Sequence, residues 1–173
     1  ELETIAQGLL DVIYQIRITC IDLRPPMLIE EGLVSALEAL FEFTQMRSDY
    51  AISFHADLQY DRLSEEYAIG LYRIVQEMLA NATKHSRASQ VKLSLVRWPD
   101  SIHLTYQDNG VGMDILQPRD AFASMGVYGM KERVHSLNGT IAFRSSPCKG
   151  LTIDINIPFT DGERHNERGA CTR

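Results

Sequence analysis

Three short blocks hold the residues of this chain that suit chemistry. In the first, Gln76-Glu77-Met78-Leu79-Ala80-Asn81-Ala82-Thr83-Lys84-His85-Ser86, the polar residues Glu77, Asn81, Lys84 and His85 recur at three- and four-residue steps. On a helix that spacing lines one stripe. Asn81 offers a hard carbonyl oxygen that suits Mg²⁺, with waters and phosphate oxygens filling the other positions. Lys84 would neutralise a terminal phosphate, and Glu77 would polarise a nucleophile or orient a metal-bound water. Taken alone, the same stripe also fits an ordinary polar helix face with Arg73 and Glu77 paired one turn apart.

The second block is Asp108-Asn109-Gly110-Val111-Gly112-Met113. An Asp carboxylate just after a strand can accept the exocyclic amine of adenine in a charge-assisted bond, and Gly110 and Gly112 leave the backbone free to approach a flat ligand. Turns are rich in Asp and Gly, so this block gains its weight from following the Asn81 helix. The third is Ser124-Met125-Gly126-Val127-Tyr128-Gly129-Met130-Lys131-Glu132-Arg133. Glycines entering a helix N-terminus expose amides beside the positive end of its dipole, which suits phosphate. No Gly-x-x-x-x-Gly-Lys-Ser/Thr occurs, which excludes a P-loop. Together the blocks make ATP with Mg²⁺ the first hypothesis.

The elements that must position these residues follow from periodicity. Ile5, Leu9, Val12, Ile13, Ile16 and Cys20 form an apolar stripe on a helix over residues 1–23, which Pro25 and Pro26 stop. Such a stripe needs another helix to cover it. A second helix runs from Glu31 to about Met46, with Leu33, Leu37, Leu40 and Phe41 on one face. Residues 51–56 alternate as a strand with His55 toward solvent. Ser64 can cap a long helix over 65–86 whose core face is Leu71, Ile74, Val75, Met78, Leu79 and Ala82. Strands 90–96 and 102–106 flank the turn Trp98-Pro99-Asp100-Ser101. Residues 113–125 read as a loop and 125–137 as a helix ended by Asn138-Gly139, before strands at 140–144 and 151–157. Strands joined by tight turns without a regular βαβ rhythm point to a two-layer α/β sandwich, a mixed sheet with helices on one face.

Composition excludes other classes. The chain has 173 residues, 45% of them apolar, enough for one core and an appended helix. A formal charge of −6 without Lys/Arg clusters argues against nucleic acid as a direct partner. Cys20, Cys148 and Cys171 are too far apart for a Cys-x-x-Cys site and read as packing or tail residues in a reducing cytosol. No apolar run approaches the roughly 18 residues of a membrane span, and the opening carries no signal-peptide pattern.

Leu23-Arg24-Pro25-Pro26 and the three blocks, in this order and spacing, resemble the catalytic domain of a bacterial sensor histidine kinase, of the subgroup typified by the nitrate, fatty-acid desaturase and competence sensors. The resemblance spans about residues 15–158. It implies the Bergerat fold of gyrase, Hsp90, histidine kinases and mismatch-repair ATPases. In that pattern Asn81 is the magnesium ligand, Asp108 the adenine contact, and Lys84 and His85 phosphate or ribose neighbours. Glu77 and Lys84 take the catalytic roles. Gly110, Gly112 and Met113 belong to the nucleotide loop, and Gly126, Val127, Tyr128, Gly129 and Met130 to the end of a short mobile lid over the phosphates. The family often has Gly-Thr where this chain has Gly150-Leu151, which moves the adenine-side threonine to Thr152.

The resemblance also implies a domain plan: residues 1–24 as part of the second helix of a dimerisation hairpin, 27–159 as the catalytic domain, and 160–173 as a disordered polar tail. None of His55, His85, His103, His135 and His165 is followed by Asp or Glu, so the phosphoacceptor histidine is expected outside this fragment. The implied partners are ATP, a response regulator and a second copy of the kinase, in a cytoplasmic domain whose membrane anchor would lie in other segments. A nucleotide-binding scaffold without kinase activity and a serine-directed kinase of the same fold are the alternatives. The second of these would lack Leu-Arg-Pro-Pro.

Overall fold

A computed structural model describes residues 28, 30–58, 63–112 and 121–158, with 121–125 described by backbone alone. The expected helix over 1–23, the prolines that stop it, Cys20, Met113, Cys171, His165 and the polar tail lie outside the described residues. So does most of the expected lid. Among the described residues no helix is long and apolar enough to cross a membrane.

In chain order the elements are α1 (Leu33–Gln45), β1 (Ala51–Asp57), α2 (Glu65–Asn81), β2 (Gln90–Trp98), β3 (Ser101–Asp108), α3 (Ala121–Ser136), β4 (Thr140–Ser145) and β5 (Leu151–Pro158). The strands form one sheet in the order β1-β2-β3-β5-β4. Only β1 and β2 run parallel; the other pairs are antiparallel. Register carries the core across the sheet in rows, with Leu93 opposite Tyr106 and Tyr106 opposite Ile153, then Leu95, Leu104 and Ile155. All six are buried, while Lys92, Gln107 and Asn156 on the other face are exposed. Among the described residues helices therefore cover one face only, and the fold is a two-layer α/β sandwich.

Helix α2 is the inner member of the helical layer. It buries Tyr67, Ala68, Leu71, Tyr72, Ile74, Val75, Met78 and Leu79. Each large apolar side chain contributes about 1.5–3 kcal/mol on burial, against roughly 0.2–0.5 kcal/mol for a surface pair, so the core sets the rotation of α2. Ser64 stands at the N-cap without the expected side-chain cap bond; its carbonyl accepts the Ala68 amide at 3.0 Å, and Glu65 and Glu66 occupy the first turn. Arg73 donates to Gln76 Oε1 at 2.9 Å instead of pairing with Glu77.

Two elements and one cysteine depart from the sequence expectation. The helix expected to run to residue 86 widens after Asn81 into a π-helical turn, Ala82–Ser86, and ends at Arg87 with φ 51°. Hydroxyls take up carbonyls there: Thr83 Oγ1 donates to Leu79 O at 2.9 Å and Ser86 Oγ to Ala82 O at 2.7 Å. Such back-bonding bends and loosens a helix, and propensity does not register it. Helix α3 begins at Ala121, inside the stretch expected to be a loop. Cys148, read as a packing or tail residue, is exposed in the 146–150 turn with φ 61°. Asn138 ends α3 with φ 55°, as expected of its type.

Two of the buried phenols, Tyr50 and Tyr106, are shifted by their surroundings. Tyr50 Oη lies 2.8 Å from Thr83 Oγ1, and burial raises it above the ordinary value of 10.0. Burial, then the neighbouring charge of Asp108, pushes Tyr106 far above the same value. Unfolding lets both ionise near 10.0, so above that pH the folded chain binds more protons than the unfolded one. Stability is therefore full below about pH 10 and declines as pH rises beyond it. Urea unfolding between about pH 8 and pH 11 should show that decline, and Tyr106→Phe should make it shallower.

Candidate functional site

At the C-terminal end of α2 an open cleft of about 560 Å³ is lined by Glu77, Asn81, Lys84, His85, Gly126, Gly129 and Arg133. Its size falls within the roughly 300–1,000 Å³ of small-molecule sites. Glu77 and Asn81 come from the flank of α2 and Lys84 and His85 from the π-helical turn, so the first block assembles as its spacing predicts. The opposite wall is α3, whose Gly126, Gly129 and Arg133 stand three and four residues apart on one face.

The glycine at 126 is set by α2. A Cβ there would lie 2.2 Å from Glu77 Oε1 and 3.3 Å from Asn81 Nδ2, so the absence of a side chain lets the carboxylate face α3 directly. Gly126 is the sixth residue of α3 and Gly129 the ninth, past the first turn where helix amides stay unpaired. The expected cradle of free amides at these glycines is therefore not formed here; they open space. Helical periodicity sorts the rest of this block. Val127 packs against the core, Met130 is 1% exposed within it, and Tyr128 points to solvent. Val127 and Met130, expected at the lid end beside the nucleotide, turn their side chains to the core.

The Asp loop forms a second group beside the cleft, and none of its described residues lines the cavity. Asp108, 5% exposed at the end of β3, accepts the Tyr106 hydroxyl on Oδ2 at 2.8 Å and the Gly110 amide on Oδ1 at 2.8 Å. The loop is stitched to its surroundings: Val111 N donates to Ser86 O at 2.8 Å and Gly150 N to Gly110 O at 3.0 Å. Ser86 closes the turn that carries Lys84 and His85, so this bond ties the loop to the cleft. A Cβ on Gly110 would meet Ser86 O at 2.1 Å, and one on Gly112, where φ is 67°, would meet Ser146 O at 2.2 Å. The protein's own backbone accounts for both glycines without a ligand.

Register removes Thr152 from its expected place beside the adenine contact. Leu151 is the partner of Asp108, whereas Thr152 is opposite Gln107 on the other face of the sheet. A one-residue step along a strand reverses the face, so Thr152 and Asp108 point to opposite sides. Arg133 was missed by the sequence reading. The signal lay in its three- and four-residue spacing from Gly126 and Gly129 within the expected 125–137 helix; the packing of α3 shows that this face meets the cleft.

A family model described as histidine kinase-, DNA gyrase B-, and HSP90-like ATPase matches residues 66–161, which include both groups of site residues. The chain belongs to this ATPase family. It is 40% identical over 147 residues to the sensor histidine kinase ComP of Bacillus subtilis (strain 168), covering 85% of this chain and 19% of the relative. It is 33% identical over 149 residues to the signal transduction histidine-protein kinase/phosphatase DegS of Brevibacillus brevis, covering 86% and 38% respectively. The chain thus spans well under half the length of these curated relatives. The histidine kinase domain of a blue-light activated kinase from Erythrobacter litoralis shares the fold, with a TM-score of 0.58 at 21% identity over 74% of this chain and 59% of that one. Membership of the family makes ATP the nucleotide of this domain.

Two glycine substitutions separate site from scaffold. Gly126→Ala meets only the far ends of the flexible Glu77 and Asn81 side chains, so stability should change by less than about 1 kcal/mol while ATP binding weakens. Gly110→Ala meets the Ser86 backbone and should destabilise by about 1–3 kcal/mol. Chemical denaturation and nucleotide titration on both variants check the contrast.

Proposed function

We propose that this chain is the ATP-binding catalytic domain of a two-component sensor histidine kinase. In the whole protein it would move the γ-phosphoryl of Mg-ATP onto a histidine of a dimerisation hairpin, from which a response regulator takes it. The observation that carries the reading is the cleft that brings Glu77 and Asn81 together with Lys84, His85 and Arg133 around the bare face of Gly126 and Gly129. The relatives ComP and DegS, both named as histidine kinases, support it. Residues 27–159 are the catalytic domain on this reading, 1–24 part of the hairpin that pairs two copies, and 160–173 a tail.

The donor set fits magnesium. Among the described residues no three His, Cys, Asp or Glu side chains gather into a metal site, so a cation here must rely on one or two protein oxygens and on the nucleotide. That is the habit of Mg²⁺, and Asn81 supplies the amide oxygen with Glu77 beside it. Bound there, the ion would neutralise charge on the phosphates. The remaining work falls to the chain. Lys84 and Arg133 attract the terminal phosphates, His85 borders phosphate or ribose, and Glu77 takes a proton from the nucleophile or orients a metal-bound water. Asp108 accepts the adenine amine. Positioning and charge neutralisation dominate catalysis of this type.

Calorimetric titration tests the binding half of the proposal. ATP should bind in a magnesium-dependent way, and Asp108→Asn should lose roughly 1.5–3 kcal/mol, about ten- to a hundredfold in affinity. Equal affinity for ATP and GTP would remove the role given to Asp108. The transfer half is tested with γ-labelled ATP. Each of the chain's five histidines lacks the following acidic residue of an acceptor, so the chain alone should stay unlabelled, and a dimerisation hairpin supplied in trans should become labelled. An acid-labile, alkali-stable label on the chain itself would mean that one of its own histidines accepts phosphate.

A further inference from the structure

Tyr106 and Asp108 stand two residues apart on β3, so both side chains leave the strand on its helix-covered face. Along that face Ile102, Leu104 and Tyr106 are each at most 1% exposed, and the only polar groups among these four side chains are the Tyr106 hydroxyl and the Asp108 carboxylate. A phenylalanine would fill nearly the same space as Tyr106. The hydroxyl therefore calls for an explanation, because burying one without a partner costs about 1–3 kcal/mol. Its partner is Asp108 Oδ2, at 2.8 Å, while the Gly110 amide holds Oδ1 at 2.8 Å. One donor on each oxygen fixes the rotation of the carboxylate and leaves each oxygen with a free lone pair. Burial keeps the Tyr106 hydroxyl protonated, hence a donor, throughout the physiological range.

We propose that Tyr106 is a positioning residue for base recognition: its hydroxyl holds the Asp108 carboxylate in the one orientation that meets the exocyclic amine of adenine. A base presenting a carbonyl oxygen at that edge would meet a fixed acceptor and be rejected, because the buried carboxylate cannot turn away. The role rests on Asp108 being the acceptor of the adenine amine, as set out above.

The test is titration of the full chain and of Tyr106→Phe with ATP and with purine riboside triphosphate, which differs from ATP only in lacking the exocyclic amine. The unaltered chain should prefer ATP by about tenfold or more, the size of a charge-assisted bond. In Tyr106→Phe the preference should shrink toward parity with purine riboside triphosphate binding unchanged, which also reports that the variant is folded. A preference that survives in Tyr106→Phe overturns the role of Tyr106 and leaves Asp108 standing. No preference in the unaltered chain removes the Asp108 reading, and this one with it. Should the variant not fold, proton NMR of the unaltered chain decides. The Tyr106 hydroxyl proton, protected in its bond to Asp108, should shift on adding ATP and stay in place with purine riboside triphosphate. The same shift with both nucleotides overturns the proposal.

Discussion

Packing of α2 against the sheet sets the rotation of that helix, and the rotation decides where Glu77 and Asn81 point. Leu71, Ile74, Val75, Met78 and Leu79 all lie on the buried side. A turn of the helix that moved Asn81 out of the cleft would expose several of these at once, at about 1.5–3 kcal/mol each. No interaction within the cleft is strong enough to compete. The site is therefore carried by the core, and its polar residues are free to suit a ligand because they are not needed to hold the helix.

The same economy of roles shows on α3. Its residues divide among three directions, with Gly126, Gly129 and Arg133 toward the cleft, Met130 and Val134 toward the core, and Tyr128 toward solvent. Both α2 and α3 are anchored in one core, which sets the two walls of the cleft opposite each other. The π-helical turn after Asn81 adds a third contributor. It carries Lys84 and His85 and ends at Ser86, whose carbonyl binds the Val111 amide and so joins the Asp loop to the wall of the cleft.

Asp108 occupies the other critical position. A buried carboxylate is tolerable only with donors on its oxygens, and the fold supplies one from its own strand and one from the following loop. The loop's glycines are explained by close backbone approach to Ser86 and Ser146, which makes the geometry around Asp108 a property of the fold and present before any ligand binds. On the proposed reading of Asp108 as the base acceptor, preorganisation of that kind favours selectivity, since the carboxylate is held in one orientation.

Much of this was legible in the sequence for a physical reason. Periodicity reports which face of an element is apolar, so the α2 core face, the strands around the Pro99-Asp100 turn, the two-layer sandwich and the stripe of Glu77, Asn81, Lys84 and His85 could be read from spacing alone. The order of Asn81, Asp108 and Gly126 likewise pointed to the ATPase family. What spacing does not contain is the relation between elements. Strand register put Leu151 rather than Thr152 beside Asp108, and the packing of α3 turned Val127 and Met130 inward and brought Arg133 into the cleft. The π-helical turn and the Tyr106–Asp108 bond depend on hydroxyls finding partners once the layers have closed. Local pattern determined the elements and the family; only tertiary packing decided which of their faces met, because that choice is made by burial summed over the whole core.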